Sequence, residues 1–375
     1  MASRGLTCAG WGGRAPGARR RILLASIAML LCLAFTSWPA RAQPRGPEVR
    51  VVTFSASSGE LAGRPYVFVR GLLENRGPGP ATRIQIALQT FGQDPDRPLA
   101  VSGSISWLDS LDSGERGPFS IAINHCCPED LLDYRFSVAA EPAAERPYRA
   151  LAFENLARFD AARPPEITGE LRNLGDAYLN APSVDVYAGF WAGDAMVALT
   201  TARMPILYGL EGPTGQSLAP GIAYPWQLRL PDVAFDRYEL WANATAYPNG
   251  VYPVPLGFDG GPARREGQDL LLGGMLWNCG MESAGDVLLL LVGRDAEGRI
   301  RDFTLLELLT DEPLAPGSRG RLEARWPNSP ATIDEGRVDL IPLALDTQLR
   351  RPAALPCAPP RGRVYLPWLD ASTAR

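Results

Sequence analysis

Few residues in this chain have the types and spacing for chemistry, and the densest group is a tripeptide. His125 is the single histidine, and Cys126 and Cys127 follow it directly. A Cys–His nucleophile pair needs side chains that converge, whereas neighbours along a strand point to opposite faces. A tetrahedral metal site wants four ligands, and this stretch offers three. The remaining reading is structural: His-Cys-Cys-Pro forms a turn at a strand end, closed by oxidation. A Ser-His-Asp triad would have to recruit the same histidine, and no G-x-S-x-G elbow is present. The chain contains no lysine, which removes P-loop, pyridoxal-phosphate and Schiff-base chemistry together. Asp94 and Asp96 sit in the turn Gln93-Asp94-Pro95-Asp96, with too few oxygen ligands nearby for calcium. Carboxylates are plentiful, but no spacing singles out a pair for hydrolysis. The sequence is therefore read as non-enzymatic, with no catalytic residue, no cofactor and no metal site.

The cysteines suggest an exported chain instead. Residues 1–42 read as a signal peptide. Arg19, Arg20 and Arg21 precede an apolar run from Ile22 to Phe35, and Ala40-Arg41-Ala42 is an A-x-A cleavage signal. The run is 14 residues long, short of the roughly 20 needed to span a bilayer. Retention of the leader as an anchor is the alternative. Cleavage would remove Cys8 and Cys32 and leave an even set, Cys126, Cys127, Cys279 and Cys357, as disulfide candidates. The favoured pair is Cys279–Cys357, which would staple the tail to a strand. Cys126 and Cys127 are adjacent, so a bond between them is strained and easily reduced; pairing with another chain is the other choice.

The element that organises the rest is a repeated motif, G-x-L-x-N-x-G. It occurs as Gly71–Gly77, Gly169–Gly175 and Gly274–Gly280, with starts 98 and 105 residues apart. On a strand the first Gly, the Leu and the Asn share one face. The Leu is then a core anchor, and the first Gly leaves room for a bulky side chain from a facing sheet. Asn75, Asn173 and Asn278 fall where the strand runs out, and each amide can bond the backbone of the following turn. Gly77, Gly175 and Gly280 would supply a positive φ there. A catalytic Asn is the sharper alternative, but recurrence at one place in three consecutive units favours a turn-former. Each motif is followed by L-x-x-G (Leu111–Gly114, Leu218–Gly221, Leu314–Gly317) and, five residues past that Gly, by an apolar residue: Phe119, Trp226 or Leu322. The middle copy carries a nine-residue insertion, placed around Gly209–Gly215. A β-rich run closes each unit: Tyr134–Ala140, Tyr238–Thr245 and Val338–Leu345.

Together these landmarks resemble the FxLYD and CARDB-like group of bacterial extracellular domains. The resemblance implies an all-β chain of three tandem immunoglobulin-like β-sandwich domains after the signal peptide. The expected boundaries are 43–144, 145–247 and 248–350, followed by a Pro/Arg-rich tail, 351–375, that contains the apolar hexamer Val364–Leu369. Strand patterning agrees. In Arg83–Thr90, Ile84, Ile86 and Leu88 alternate inward. Leu288–Leu291 is apolar on both faces and so predicts a central strand covered on both sides.

Without the leader the chain carries 31 arginines against 41 acidic residues, a net charge of −10. Nucleic acids and anionic membranes need basic patches, so neither is an expected partner, and no span remains after leader cleavage. Trp191, Trp226 and Trp241 load the second unit with aromatics, read as core rather than as a sugar-binding platform. Asn243-Ala244-Thr245 is a glycosylation sequon. The expected role is a secreted or cell-surface spacer, adhesion or assembly module. An extracellular carbohydrate- or peptide-binding protein is the alternative, with a protein or glycan partner.

Overall fold

The computed structural model describes residues 46–125, 127–205, 217–246, 252–308 and 312–348. The expected signal peptide, the insertion around Gly209–Gly215, Cys126, Cys357 and the tail lie outside the described residues. The described chain is built of strands, with only short 3-10 turns between them. No helix among the described residues is long and apolar enough to cross a membrane.

Pairing falls into three successive sets. The first comprises β1 (Val49–Leu61), β2 (Arg64–Asn75), β3 (Ala81–Phe91), β4 (Pro98–Ile105), β5 (Ser110–Leu111), β6 (Arg116–Ile123) and β7 (Asp133–Pro142). Sheet β1-β2-β6 faces sheet β4-β3-β7. The second comprises β8 (Leu151–Phe159), β9 (Glu166–Asn173), β10 (Leu179–Asn180), β11 (Asp185–Ala192), β12 (Ala195–Thr201), β13 (Ser217–Leu218), β14 (Ala223–Arg229) and β15 (Arg237–Asn243). Here β8-β9-β14 faces β12-β11-β15. The third comprises β16 (Tyr252–Pro253), β17 (Leu256–Gly260), β18 (Arg264–Glu266), β19 (Asp269–Asn278), β20 (Val287–Arg294), β21 (Ile300–Leu308), β22 (Arg319–Trp326), β23 (Val338–Ala344) and β24 (Thr347–Gln348). Its two main sheets are β17-β19-β22 and β21-β20-β23. In each set the first, second and fifth long strands form one sheet, and the third, fourth and sixth form the other. In immunoglobulin lettering this is ABE against C′CF; a strand in position G is absent among the described residues.

Alternation drives the packing. In β3, Ile84, Ile86 and Leu88 are buried while Gln85, Ala87 and Gln89 face solvent, as period-two patterning requires. β2 inserts Val67, Val69 and Leu73 from the opposite sheet. β20 reads VLLLLVGR and is buried along nearly its whole length. Its Val287, Leu289 and Leu291 enter the third core, while Leu290 and Val292 join the core cluster of the second set. The third set thus leans on the second through the outer face of its own sheet.

A comparable contact joins the first and second sets. Leu72 packs with Trp191 and Met196, flanked by Val52 and Trp241. Ser55 Oγ donates to the Met196 carbonyl at 2.7 Å, and Arg70 donates to the Val197 carbonyl at 3.2 Å. Burial here pulls the Arg70 guanidinium below its ordinary pKa. Between the second and third sets, Thr168 Oγ1 donates to the Ile300 carbonyl at 2.9 Å. Glu170, 4% exposed, accepts from Arg294, whose Nε also donates to Asp339 at 2.9 Å. Burial works against the Arg294 charge, but Glu170 and Asp339 outweigh it and raise its pKa.

Candidate functional site

The three motif asparagines have equivalent surroundings. Asn75, Asn173 and Asn278 are each buried to within 1% of complete. Each Nδ2 donates twice: to the carbonyl four residues on (Gly79, Ala177, Glu282) and to the carbonyl of the L-x-x-G leucine (Leu111, Leu218, Leu314), all at 2.7–3.0 Å. Each Oδ1 accepts from the amide two residues on, at Gly77, Gly175 and Gly280. The backbone repeats as well. Gly114, Gly221 and Gly317 donate their amides to the carbonyls of Asn75, Asn173 and Asn278. Every polar side-chain atom of each Asn is therefore spent on backbone: Oδ1 and one Nδ2 bond close the turn that follows the strand, and the other Nδ2 bond ties the strand end to the turn that leads into the fifth long strand. The three corners sit in three different cores and do not converge on a pocket.

The glycine roles differ from the sequence reading in two ways. Gly77, Gly175 and Gly280 are not among the positive-φ residues; that conformation belongs to Gly114, Gly221 and Gly317, at φ 76°, 76° and 73°. The Asn side chain makes the first turn itself, so its glycine needs no left-handed backbone. What excludes a side chain there is crowding: a Cβ at Gly77 would lie 2.5 Å from the Glu48 amide, and one at Gly175 would lie 1.9 Å from the Tyr148 hydroxyl. The first glycines do leave space, but for the neighbouring strand of the same sheet rather than for a facing one. Gly71, Gly169 and Gly274 lie opposite Phe119, Trp226 and Leu322 in register. A Cβ on Gly71 would meet the Thr53 carbonyl at 2.0 Å, and one on Gly274 the Asp259 carbonyl at 2.4 Å.

Among the described residues, the other singled-out side chains occupy separate places on the fold. His125 Nε2 lies 3.2 Å from Asp130 at the surface. Among the described residues, no three His, Cys, Asp or Glu side chains cluster as metal ligands. Asp94 accepts from the Asp96 amide at 3.0 Å within its exposed turn. Cys279 is disulfide-bonded. Trp226 is core, and Trp191 and Trp241 face the first set, their rings 5.8 Å apart; they make no exposed aromatic row. Asn243 is 4% exposed and donates to Asp109, so the sequon's acceptor is occupied inside the fold. Beside it, burial raises the Asp185 carboxyl above its usual range; Tyr187 opposes that shift by hydrogen bonding, and the nearby Asp109 charge adds to it.

An open feature with binding geometry is the seam between β1 and β7. β7 pairs with β3 alone, so its other edge has no strand partner among the described residues. Its inward residues Tyr134, Phe136, Val138 and Ala140 are only half-buried, whereas the inward residues of β2 and β3 are almost completely enclosed. A groove of about 430 Å³ runs along this seam over Val49, Val51, Phe136 and Val138. Phe54 closes one end, its ring 4.9 Å from Phe136 and 5.3 Å from Tyr134, and is itself 41% exposed. The same half-burial recurs on the sixth strands of the other sets, at Tyr238, Leu240 and Ala242 and at Val338 and Leu340. The sequence reading missed this seam. Its signal was the strand count: each unit offers six long β runs where a seven-stranded sandwich needs one more.

No family model matches this chain, and no curated protein does. Among solved structures, dimeric latent PorU from Porphyromonas gingivalis aligns at 9% identity and a TM-score of 0.16, over 80% of this chain and 33% of that one. Red sea bream transglutaminase aligns at 9% identity and 0.15, over 79% of this chain and 31% of that one. A biofilm-associated protein BSP domain aligns at 8% identity and 0.13, over 88% of this chain and 71% of that one. The chain spans about a third of the length of the first two. Similarity at this level assigns neither family nor activity.

Proposed function

We propose that this chain is a non-enzymatic, exported assembly module at the cell surface or outside the cell. In this reading it consists of three tandem immunoglobulin-like domains, 43–144, 145–247 and 248–350. The observation that carries the reading is the threefold asparagine corner. The most conspicuous polar residues of the repeat are consumed in holding strands together and leave nothing pointed at a substrate. The buried contacts between strand sets support a rigid scaffold rather than beads on a flexible string. The leader, read from sequence, supports export.

The partner reading is an extended protein segment that adds as a strand to the open edge of β7, with alternate apolar side chains in the groove. Added strands gain backbone hydrogen bonds along the edge and specificity from every second side chain. The lining is apolar apart from Arg50, which already pairs with Glu48, so an uncharged, alternating segment is the complement. A displayed random-peptide library selected on the folded chain tests this. Enriched peptides should alternate apolar and polar residues and lose binding to Val138→Arg. Enrichment of charged or non-alternating sequences, or binding indifferent to Val138→Arg, would refute it. A glycan platform has no comparable support, since the tryptophans it would need are buried or turned against the first set.

A further inference from the structure

The second and third strand sets leave a polar cleft of about 340 Å³ between them. Four guanidinium groups line it, Arg163, Arg203, Arg229 and Arg301, against two carboxylates, Glu166 and Asp302. Both carboxylates are already engaged. Asp302 Oδ1 accepts from Arg203 at 3.1 Å and from the Phe303 amide at 2.8 Å. Glu166 accepts from Gln227 at 2.6 Å, and Gln227 in turn accepts from Arg203 at 3.0 Å. Glu166, Gln227, Arg203 and Asp302 thus form a continuous hydrogen-bonded chain across the cleft.

That chain leaves three arginines over. Arg163, Arg229 and Arg301 have no carboxylate within ion-pair distance among the described residues, although most other described arginines do. Arg301 is held in place by two contacts. Its guanidinium stacks on Phe159, 3.8 Å from the ring centroid, and its Nε donates to Thr332 at 3.3 Å. A planar guanidinium fixed by stacking presents its remaining donors at little entropic cost. A cluster of unpaired positive charge is unexpected on a chain whose formal net charge is −4.

We propose that this cleft binds a ligand bearing two or more oxyanion groups: carboxylate, sulfate or phosphate. Guanidinium forks match such groups bidentately, with charge-assisted hydrogen bonds about twice as strong as neutral ones. Arg301 is the fixed anchor. Arg163 and Arg229, both exposed, close on the ligand from the rim. The site is separate from the β1–β7 seam and does not depend on strand docking there.

Titration calorimetry on the full folded chain, at low and at physiological salt, tests the proposal. The probes are trigalacturonate, a disulfated disaccharide and inorganic pyrophosphate, and the tightest binder identifies the oxyanion. At least one should bind saturably and more weakly as salt rises. The double variant Arg163→Ala/Arg229→Ala should bind it at least about tenfold more weakly, the loss expected when charge-assisted bonds are removed. The control Arg64→Ala/Arg97→Ala removes two other arginines without carboxylate partners outside the cleft and should bind as the parent does. Because Arg163 and Arg229 are exposed, the variant should keep the parent's melting temperature. Saturable binding to none of the probes, or equal losses in the two double variants, would overturn the proposal.

Discussion

Replacing Asn75 by alanine removes a side chain whose bonds to Leu111 and Gly77 are buried and whose bond to Gly79 is partly buried. The carbonyls of Gly79 and Leu111 lose their donor, and the Gly77 amide loses its acceptor. Each buried group left unsatisfied costs about 1–3 kcal/mol. Partial relaxation places the total at about 3–5 kcal/mol, in the range of the more damaging single substitutions. For a cooperative unit of about 100 residues, a loss of about 3 kcal/mol lowers the melting temperature by roughly 12–24 °C. Asn75→Asp is the more discriminating variant. It keeps an acceptor for Gly77 but aims a carboxylate oxygen at two carbonyl oxygens. Burial and those carbonyls would raise the pKa of the introduced carboxyl in the fold above its unfolded value of about 3.9. A raised folded pKa means that the fold favours the protonated acid, which can donate one of the lost bonds. The deficit of Asn75→Asp should therefore be smallest at low pH and should grow as pH rises through the raised pKa. Asn75→Ala should show a deficit that does not depend on pH relative to the parent. Denaturant melts of both variants across pH 3.5–7 measure this. A pH-independent Asn75→Asp deficit, or an Asn75→Ala cost below about 1 kcal/mol, would refute the corner's role.

Other outcomes follow from the same contacts. Gly221→Ala meets no atom within 4 Å but must hold φ at 76°, so denaturant melts should show a cost of about 1–2 kcal/mol. Glu170→Ala leaves Arg294 with Asp339 as its carboxylate partner inside the contact between the second and third sets and should cost about 1–3 kcal/mol; adding Arg294→Met should recover part of that, and full additivity would refute the coupling. Asp185→Asn replaces a carboxyl whose folded pKa is raised by burial first, opposed by Tyr187 and reinforced by Asp109. The ionised group is therefore a burden above that pKa, so the variant should melt higher than the parent at pH 7 and match it in acid. Peptide mapping without reduction should recover Cys279 joined to Cys357; a Cys279–Cys126 peptide would contradict the sequence reading.

Much of the β architecture was legible because alternation reports burial directly. Ile84, Ile86 and Leu88, or the unbroken run Leu288–Leu291, announce one covered face or two. The asparagine corner was legible because it is local: its partners lie four residues away or at the next motif. The placement of the positive φ was not. Asn-x-Gly and L-x-x-Gly both look like glycine turns, and only the side-chain capping by Asn shows which glycine is relieved of a left-handed backbone. Contacts between strand sets were invisible for a different reason. Thr168 and Glu170 stand on the outward face of their strand, where a lone sequence cannot distinguish solvent from a neighbouring sheet. Asn243 was misleading in the same way, since an exposed sequon and a buried amide read identically. The β1–β7 seam is an absence, and patterns of residues mark what is present.

Amide hydrogen exchange along β7 bears most directly on the claim that each unit is closed by its own corner yet has no strand at one edge among the described residues. In the free chain, the amides of Gly77 and Gly114 should exchange slowly, while the outward amides of alternate β7 residues should exchange quickly. Seating a library-selected strand peptide should slow those β7 amides and leave the corner unchanged. Uniformly slow exchange along β7 in the free chain, or peptide protection that falls elsewhere, would contradict the account.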